Sequence, residues 1–169
     1  MNRLDINRIR DVAPYAVFES PGGAILFETE YGVQYSVTFD DDTNPYYTAY
    51  WFNLSNMNNV KSPGDIKIPQ TVICIIEEFF RVNPNILLYL CSNAKGQQAQ
   101  RARLFLRWFN GYEQQQKYVI RAVEINTVDD SDKPTKDYVA LLVQRTHPQL
   151  EKVVSRFEEE IAMFNEYKP

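Results

Sequence analysis

Apolar and polar positions alternate most regularly in residues 33–39, where Val33, Tyr35, Val37 and Phe39 are separated by polar side chains. This alternation predicts a strand with one buried face. Shorter apolar runs, bounded by Gly, Pro, Asn and Asp, predict the other strands. These lie at residues 15–19, 24–30, 46–54, 86–91, 118–127 and 137–146. Because tight turns separate the first four strands, we expect them to form an antiparallel meander.

A helical period replaces the alternation in residues 70–82, where apolar residues recur at about 100° per residue. The polar side of this predicted helix, which includes Glu78, is expected to face water. Two further helices are predicted at 97–110 and 148–164. Residues 1–13 show no firm period, so they form either an extended arm or a short helix.

The succession of these elements, β-β-β-β-α-β-α-β-β-α, predicts an α+β fold. We expect a largely antiparallel sheet of about seven strands, with three helices gathered on it. The chain has 169 residues, a length typical of one domain with a sizeable core. We therefore predict a single domain over residues 1–169.

Composition and charge narrow the class of protein. The net charge of −4 argues against general nucleic-acid binding, which needs a basic surface. No segment approaches the length of a membrane span, and the N-terminal residues do not resemble a secretory signal. The two cysteines, Cys74 and Cys91, lack the spacing of a zinc site or a disulfide framework. These features predict a cytoplasmic protein with reduced thiols.

One arginine stands out at the start of the second predicted helix. Arg101 lies one helical turn from Leu104 and Phe105, so it falls within the apolar stripe of residues 97–110. An unpaired cation buried there would cost several kcal/mol, roughly, so Arg101 needs a partner or a route to water. The identity of that partner is the best clue to function in the sequence.

The turn before this helix supplies a candidate ligand site. Free N–H groups and the helix dipole favour an anion at such a position. The candidate ligand-binding residues are Ser92, Asn93, Lys95, Gly96, Gln97 and Arg101. A structural alternative remains open, in which Ser92 or Asn93 caps the helix and Arg101 pairs with a carboxylate such as Glu124. The spacing fits neither a P-loop nor a dinucleotide fingerprint.

Other candidates have simpler structural explanations. His147, the only histidine, is expected to be a helix-entry residue because Pro148 follows it. The acidic runs at 40–42 and 129–132 lack the Gly and Glu of an EF-hand loop, so we expect solvated turns and no metal site. The aromatic cluster at 46–52 could stack bases, but the acidic chain favours a role in the core or in protein contacts.

Several segments together resemble a known family. They include Leu-Tyr-Leu-Cys-Ser at 88–92, Arg-Ala-Arg-Leu-Phe-Leu-Arg-Trp-Phe at 101–109, and the strand and His-Pro-Gln-Leu-Glu helix start at 138–151. Over most of residues 15–165 the chain resembles a small family of uncharacterised Bacteroidota proteins, a domain of unknown function. The resemblance implies a bacterial source and this fold. It carries no activity to transfer.

The leading hypothesis is a non-enzymatic binding or interaction module with an unknown protein partner, in a bacterial regulatory, toxin–antitoxin or phage-defence setting. The alternative is a sensor of a small anionic ligand or nucleotide phosphate at the strand–turn–helix corner 91–101. A third option is an enzyme in which Arg101 holds an anionic substrate and Glu124 or Glu77 acts as base. We expect no cofactor, no nucleic acid and no membrane, and we leave a homodimer open.

Overall fold

The computed structural model describes the backbone of residues 1–61, 63–91 and 98–167. It describes the side chains of the same residues except 98–102 and 112. Across these residues it contains seven strands and five helices. The strands are β1 Val17–Glu19, β2 Ile25–Glu28, β3 Gln34–Asp41, β4 Ala49–Asn56, β5 Ile86–Cys91, β6 Tyr118–Val128 and β7 Pro134–Gln144. The helices are α1 Ile6–Val12, α2 Lys67–Val82, α3 Gln98–Phe109, α4 Tyr112–Lys117 and α5 Leu150–Tyr167.

The α+β class is confirmed, but the prediction of three helices is wrong, because α1 and α4 are also helical. Helix α1 forms because the Asp5 carboxylate accepts the N–H groups of Asn7 and Arg8, which caps its first turn. Helix α4 has six residues, five of them polar. Neither helix is long enough to display an apolar stripe, so the element order becomes α-β-β-β-β-α-β-α-α-β-β-α.

The seven strands hydrogen-bond in the order β1-β2-β3-β4-β5-β7-β6. The pairs β1–β2, β2–β3, β5–β7 and β6–β7 are antiparallel, which agrees with the largely antiparallel sheet that the sequence predicts. The spatial order differs from the order along the chain, because β7 lies between β5 and β6. Strand β6 therefore ends the sheet, with its 11 residues paired to β7 along their whole length.

The described chain forms two compact units. Unit 1 consists of Met1–Asp42 and Trp51–Pro84, and unit 2 of Thr43–Tyr50 and Asn85–Pro169. In unit 1, Phe79 of α2 is fully buried and stacks on Phe39 with ring centroids 4.7 Å apart. The predicted apolar side of α2 is thereby confirmed.

The polar side of α2 differs from the prediction at Glu78, whose side chain is only 5% exposed. The N-terminal residues cover it, and the Asp5 N–H donates to Glu78 Oε1 at 2.9 Å. Arg81 donates twice to the same carboxylate, at 2.7 and 2.8 Å. Arg8 adds an ion-pair contact at 3.6 Å. Residues 1–12 are thus anchored to α2 around one buried charge.

In unit 2, α3 and α5 pack on opposite faces of the strands. The ring of Phe105 in α3 lies 4.3 Å, centroid to centroid, from that of Tyr89 in β5. Glu158 of α5 lies 3.8 Å from Arg121 Nε of β6. The strand register places Tyr89 on the face of Ala122, and the neighbouring Arg121 points to the other face. Strands β6 and β7 therefore have α3 on one face and α5 on the other.

Within the described ranges, no helix combines the length and the hydropathy that crossing a lipid bilayer would require.

Candidate functional site

The corner predicted from the sequence is described only in part. Strand β5 ends at Cys91 and α3 begins at Gln98, so the strand and the helix of the predicted arrangement are confirmed. The candidates Ser92, Asn93, Lys95, Gly96 and Gln97 lie outside the described residues. The backbone of Arg101 belongs to α3, and its side chain lies outside what is described. The anion site and its structural alternative both stay predictions.

Glu124, the carboxylate suggested as a partner for Arg101, has other partners on β7. Its Oε1 accepts a hydrogen bond from Lys136, and its Oε2 accepts one from the Tyr138 hydroxyl at 3.2 Å. The bond from Lys136 is the main cause of a lowered pKa for Glu124. Any pairing with Arg101 would therefore share a carboxylate that already bonds to two cross-strand neighbours.

His147 is placed as the sequence suggests. Its Nδ1 accepts the N–H of Gln149 at 3.1 Å, immediately before α5 begins. The imidazole thus orders the entry to a helix, and partial burial lowers its pKa. Burial, together with the nearby Glu77 charge, raises the pKa of the Cys74 thiol. A raised pKa keeps that thiol protonated and weakly nucleophilic at neutral pH.

The acidic runs are engaged in local hydrogen bonds. The Asp129 carboxylate accepts the N–H groups of Ser131 at 2.8 Å and Lys133 at 3.0 Å, which orders the β6–β7 turn. In the other run, Asp42 accepts the indole N–H of Trp51 at 3.0 Å. Among the described residues, no three His, Cys, Asp or Glu side chains come together as a metal site would need.

A cleft that the sequence did not predict lies in unit 2, between the loop before β4 and helix α5. Its volume is about 370 Å³, within the range of small ligand pockets. We call it the α5 cleft. Its walls are formed by Tyr46, Tyr47, Gln149, Lys152, Val153, Ser155, Arg156 and Glu159.

The loop wall of the α5 cleft is held to the helix by Glu160. The Asn44 side-chain amide donates to both carboxylate oxygens of Glu160, at 3.1 and 3.3 Å. The Tyr47 hydroxyl donates to the same carboxylate at 3.3 Å. Asn44 also accepts the Tyr46 N–H at 2.8 Å, so the backbone that carries Tyr46 is fixed. The aromatic side chains here are thus positioned by polar contacts with α5.

Arg156 and Tyr46 form the most distinctive contact of the cleft. The Arg156 guanidinium carbon lies 3.6 Å from the centre of the Tyr46 ring, a close cation–π arrangement. Glu159 and Glu160 lie 3.5 and 3.4 Å from the same guanidinium, which holds it in place. The Arg156 side chain is 30% exposed, yet Tyr46 remains 57% exposed. A large aromatic ring is therefore ordered while most of it faces solvent.

The remaining polar groups of the cleft are available to a ligand or partner. In the part of the chain that the structure describes, the side chains of Gln149, Lys152 and Ser155 have no hydrogen-bond or ion-pair partner. Gln149 immediately precedes α5, and Lys152 and Ser155 follow it along one side of the helix at intervals of three residues. The cleft thus presents an amide, an ammonium and a hydroxyl beside an exposed aromatic ring.

Comparison with known families identifies the family of this chain. The profile of a family of unknown function, DUF6169, matches residues 64–159, which is more than half of the sequence. The chain belongs to DUF6169. This membership confirms the resemblance to a family without an assigned activity. No curated protein and no solved structure shows significant similarity to the chain.

The DUF6169 segment runs from just before α2 to the first ten residues of α5. It therefore includes the helical wall of the α5 cleft, with Lys152 and Arg156. The loop wall, with Tyr46 and Tyr47, lies before the matched segment. The sequence offered one signal for this site, the aromatic cluster at 46–52. Arg156 gives no such signal, because an arginine among the polar residues of an amphipathic helix is ordinarily a solvent-facing residue.

Proposed function

We propose that this DUF6169 protein is a non-enzymatic binding module that contacts another protein through the α5 cleft. The observation that carries the proposal is the ordered and exposed pair of Tyr46 and Arg156. Tyrosine and arginine are enriched among the residues that dominate binding energy in protein interfaces. A bacterial source and a cytoplasmic location are part of the same proposal.

Preorganisation supports this assignment. A side chain that is already ordered before binding loses less conformational entropy when a partner covers it. Tyr46 meets this condition because Arg156 stacks on the ring and Asn44 fixes its backbone. The surrounding Lys152 and Glu159 offer the mixed charges typical of an interface rim.

Site-specific crosslinking tests the proposal. A photoreactive amino acid replaces Gln149, which is exposed and lines the cleft, and the protein is expressed in its source organism. The matched control carries the same group at Phe18, which is 55% exposed in unit 1. We expect a defined protein adduct from position 149 that disappears in a Tyr46→Ala background. Equal adducts from both positions, or none from position 149, would contradict the proposal.

A second candidate function is the sensing of a small anion at the corner 91–101. The confirmed order of a strand ending at Cys91 and a helix beginning at Gln98 favours it, since such a helix start attracts negative charge. Thermal-shift measurements with nucleotides and inorganic phosphate test this function. We expect stabilisation of the wild type and none of Arg101→Ala, and equal shifts in both would exclude the site.

A further inference from the structure

Strand β6 ends the sheet, and in the described structure it has a strand neighbour on one side only. Along a strand, successive residues direct their N–H and C=O groups alternately to the two sides. The Glu124 C=O and the Asn126 N–H bond to α5, and the Ile120 C=O bonds to a side chain. The even-numbered residues of β6 therefore direct their backbone groups away from β7, towards the open edge.

Asn165, in the last turn of α5, occupies part of this edge. Its Oδ1 accepts the Asn126 N–H at 2.8 Å, and its Nδ2 donates to the Glu124 C=O at 3.0 Å. A single residue of a parallel neighbouring strand would make the same two bonds. The side-chain amide of Asn165 thus takes the place of a strand backbone and closes this end of the edge.

A second side chain closes the other end. Arg121 donates from Nη1 to the Ile120 C=O at 3.0 Å, which satisfies an acceptor that faces the edge. Between the two closed positions lies Ala122, whose N–H and C=O both face the edge. Exposed edge strands readily pair with other strands, and proteins commonly block them with charged or polar groups. Here the block consists of two side chains, those of Asn165 and Arg121, and no covering strand.

We propose that β6 is a dimerisation strand, which Asn165 keeps closed and which pairs with the β6 of a second copy when the last turn of α5 moves away. The occupant follows from the register of the edge. Antiparallel pairing about a two-fold axis at Ala122 sets Ile120 opposite Glu124 of the second copy, and Tyr118 opposite Asn126. The open edge is therefore complementary to itself.

The charged side chains of β6 are compatible with this pairing. The two positions closed by Asn165 and Arg121 control how much of the edge can pair. Arg121 would lie opposite Val123 of the second copy, so no like charges face each other. The Tyr118 N–H already donates to the Gln114 C=O, so the fully open edge would form about eight backbone hydrogen bonds, whereas Ala122 alone can form about two. Because Asn165 and Arg121 occupy the flanking groups, the closed chain can use only the central pair. This surface is separate from the α5 cleft, so the inference goes beyond the proposed function.

The test compares the self-association of variants by sedimentation velocity. Asn165→Ala removes both bonds to β6 without lowering helix propensity, so we expect a dimer about tenfold tighter, or more, than in the wild type. Asn165→Asp keeps the acceptor and loses the donor to the Glu124 C=O, so an intermediate effect is expected. Glu166→Ala, an exposed neighbour in the same turn, is the matched control and should match the wild type.

A second substitution shows whether any association uses β6. Ala122→Pro removes the central N–H at the edge, where proline is tolerated because that group is not bonded to β7. We expect the double variant Asn165→Ala with Ala122→Pro to return to the wild-type association state. Dimers that persist in the double variant would overturn the proposal. So would folded Asn165→Ala and Asn165→Asp proteins that sediment as the wild type does, or an opened edge that binds other proteins and not itself.

Discussion

Glu78 provides a sharp test of how the N-terminal residues are held. Its carboxylate projects from α2, is buried beneath the N-terminal residues, and accepts hydrogen bonds from the Asp5 N–H and from Arg81. The bond from Arg81 is the largest cause of a lowered Glu78 pKa, although burial opposes it. Glu78→Gln preserves the shape of the side chain and removes its charge. The variant therefore isolates the contribution of the charge to the free energy of unfolding.

The magnitude follows from the bonds that change. Hydrogen bonds to a charged group contribute about 1.5–3 kcal/mol each, and neutral ones about 0.5–1.5 kcal/mol. The Arg81 side chain is 45% exposed, so water can replace much of the hydrogen bonding that its guanidinium loses when the Glu78 charge is removed. The Asp5 N–H can still bond to the glutamine oxygen. We therefore expect Glu78→Gln to lower the free energy of unfolding at pH 7 by about 1–3 kcal/mol.

The pH dependence of this destabilisation shows whether the charge of Glu78 causes it. A carboxylate with a lowered pKa in the folded state stabilises the protein above its ordinary pKa, near 4.5, and this contribution is lost as the pH falls through the folded value. Urea unfolding measures the free energy of unfolding of the wild type and of Glu78→Gln. We expect the difference between the two proteins to be large at neutral pH and smaller at acidic pH. Glu151→Gln, on an exposed position of α5, serves as the control. A difference that is the same at both pH values would refute the reasoning.

Three further outcomes test other parts of the structure. Phe105→Ala should lower the free energy of unfolding, measured in urea, by about 3–5 kcal/mol, because Phe105 is only 3% exposed. An unchanged unfolding midpoint would contradict the packing of α3. Burial and a hydrogen bond to Asp65 raise the pKa of Tyr15 to about 12, so Tyr15→Phe should remove one late step from the tyrosinate absorbance titration. Arg101→Leu should be neutral or stabilising in chemical denaturation if the arginine serves a ligand, and should destabilise by about 3–5 kcal/mol if it neutralises a buried carboxylate.

The longer elements could be predicted from the sequence because their patterns repeat often enough. The alternation at 33–39 corresponds to β3, and the helical period at 70–82 corresponds to α2. Helices α1 and α4 have seven and six residues, fewer than two helical turns. Such segments are stabilised by a cap or by tertiary contacts, which a periodicity argument does not detect.

The α5 cleft and the burial of Glu78 depend on contacts between residues far apart in the chain. Asp5 and Glu78 are separated by 73 residues, and Asn44 and Glu160 by 116. Local patterns placed Glu78 on a water-facing side because the covering segment is not adjacent in sequence. For the same reason, Arg156 could not be recognised as the residue that stacks on Tyr46.

The most direct test of the central claim measures the affinity of the partner captured at the α5 cleft. Calorimetric titration of that purified protein compares the wild type with Arg156→Ala and with Phe18→Ala, the control in unit 1. A residue that dominates an interface contributes about 2 kcal/mol or more, which corresponds to roughly 30-fold in Kd. We predict a loss of this size for Arg156→Ala and none for Phe18→Ala. Equal Kd values for all three proteins would contradict the assignment of the α5 cleft as the binding surface.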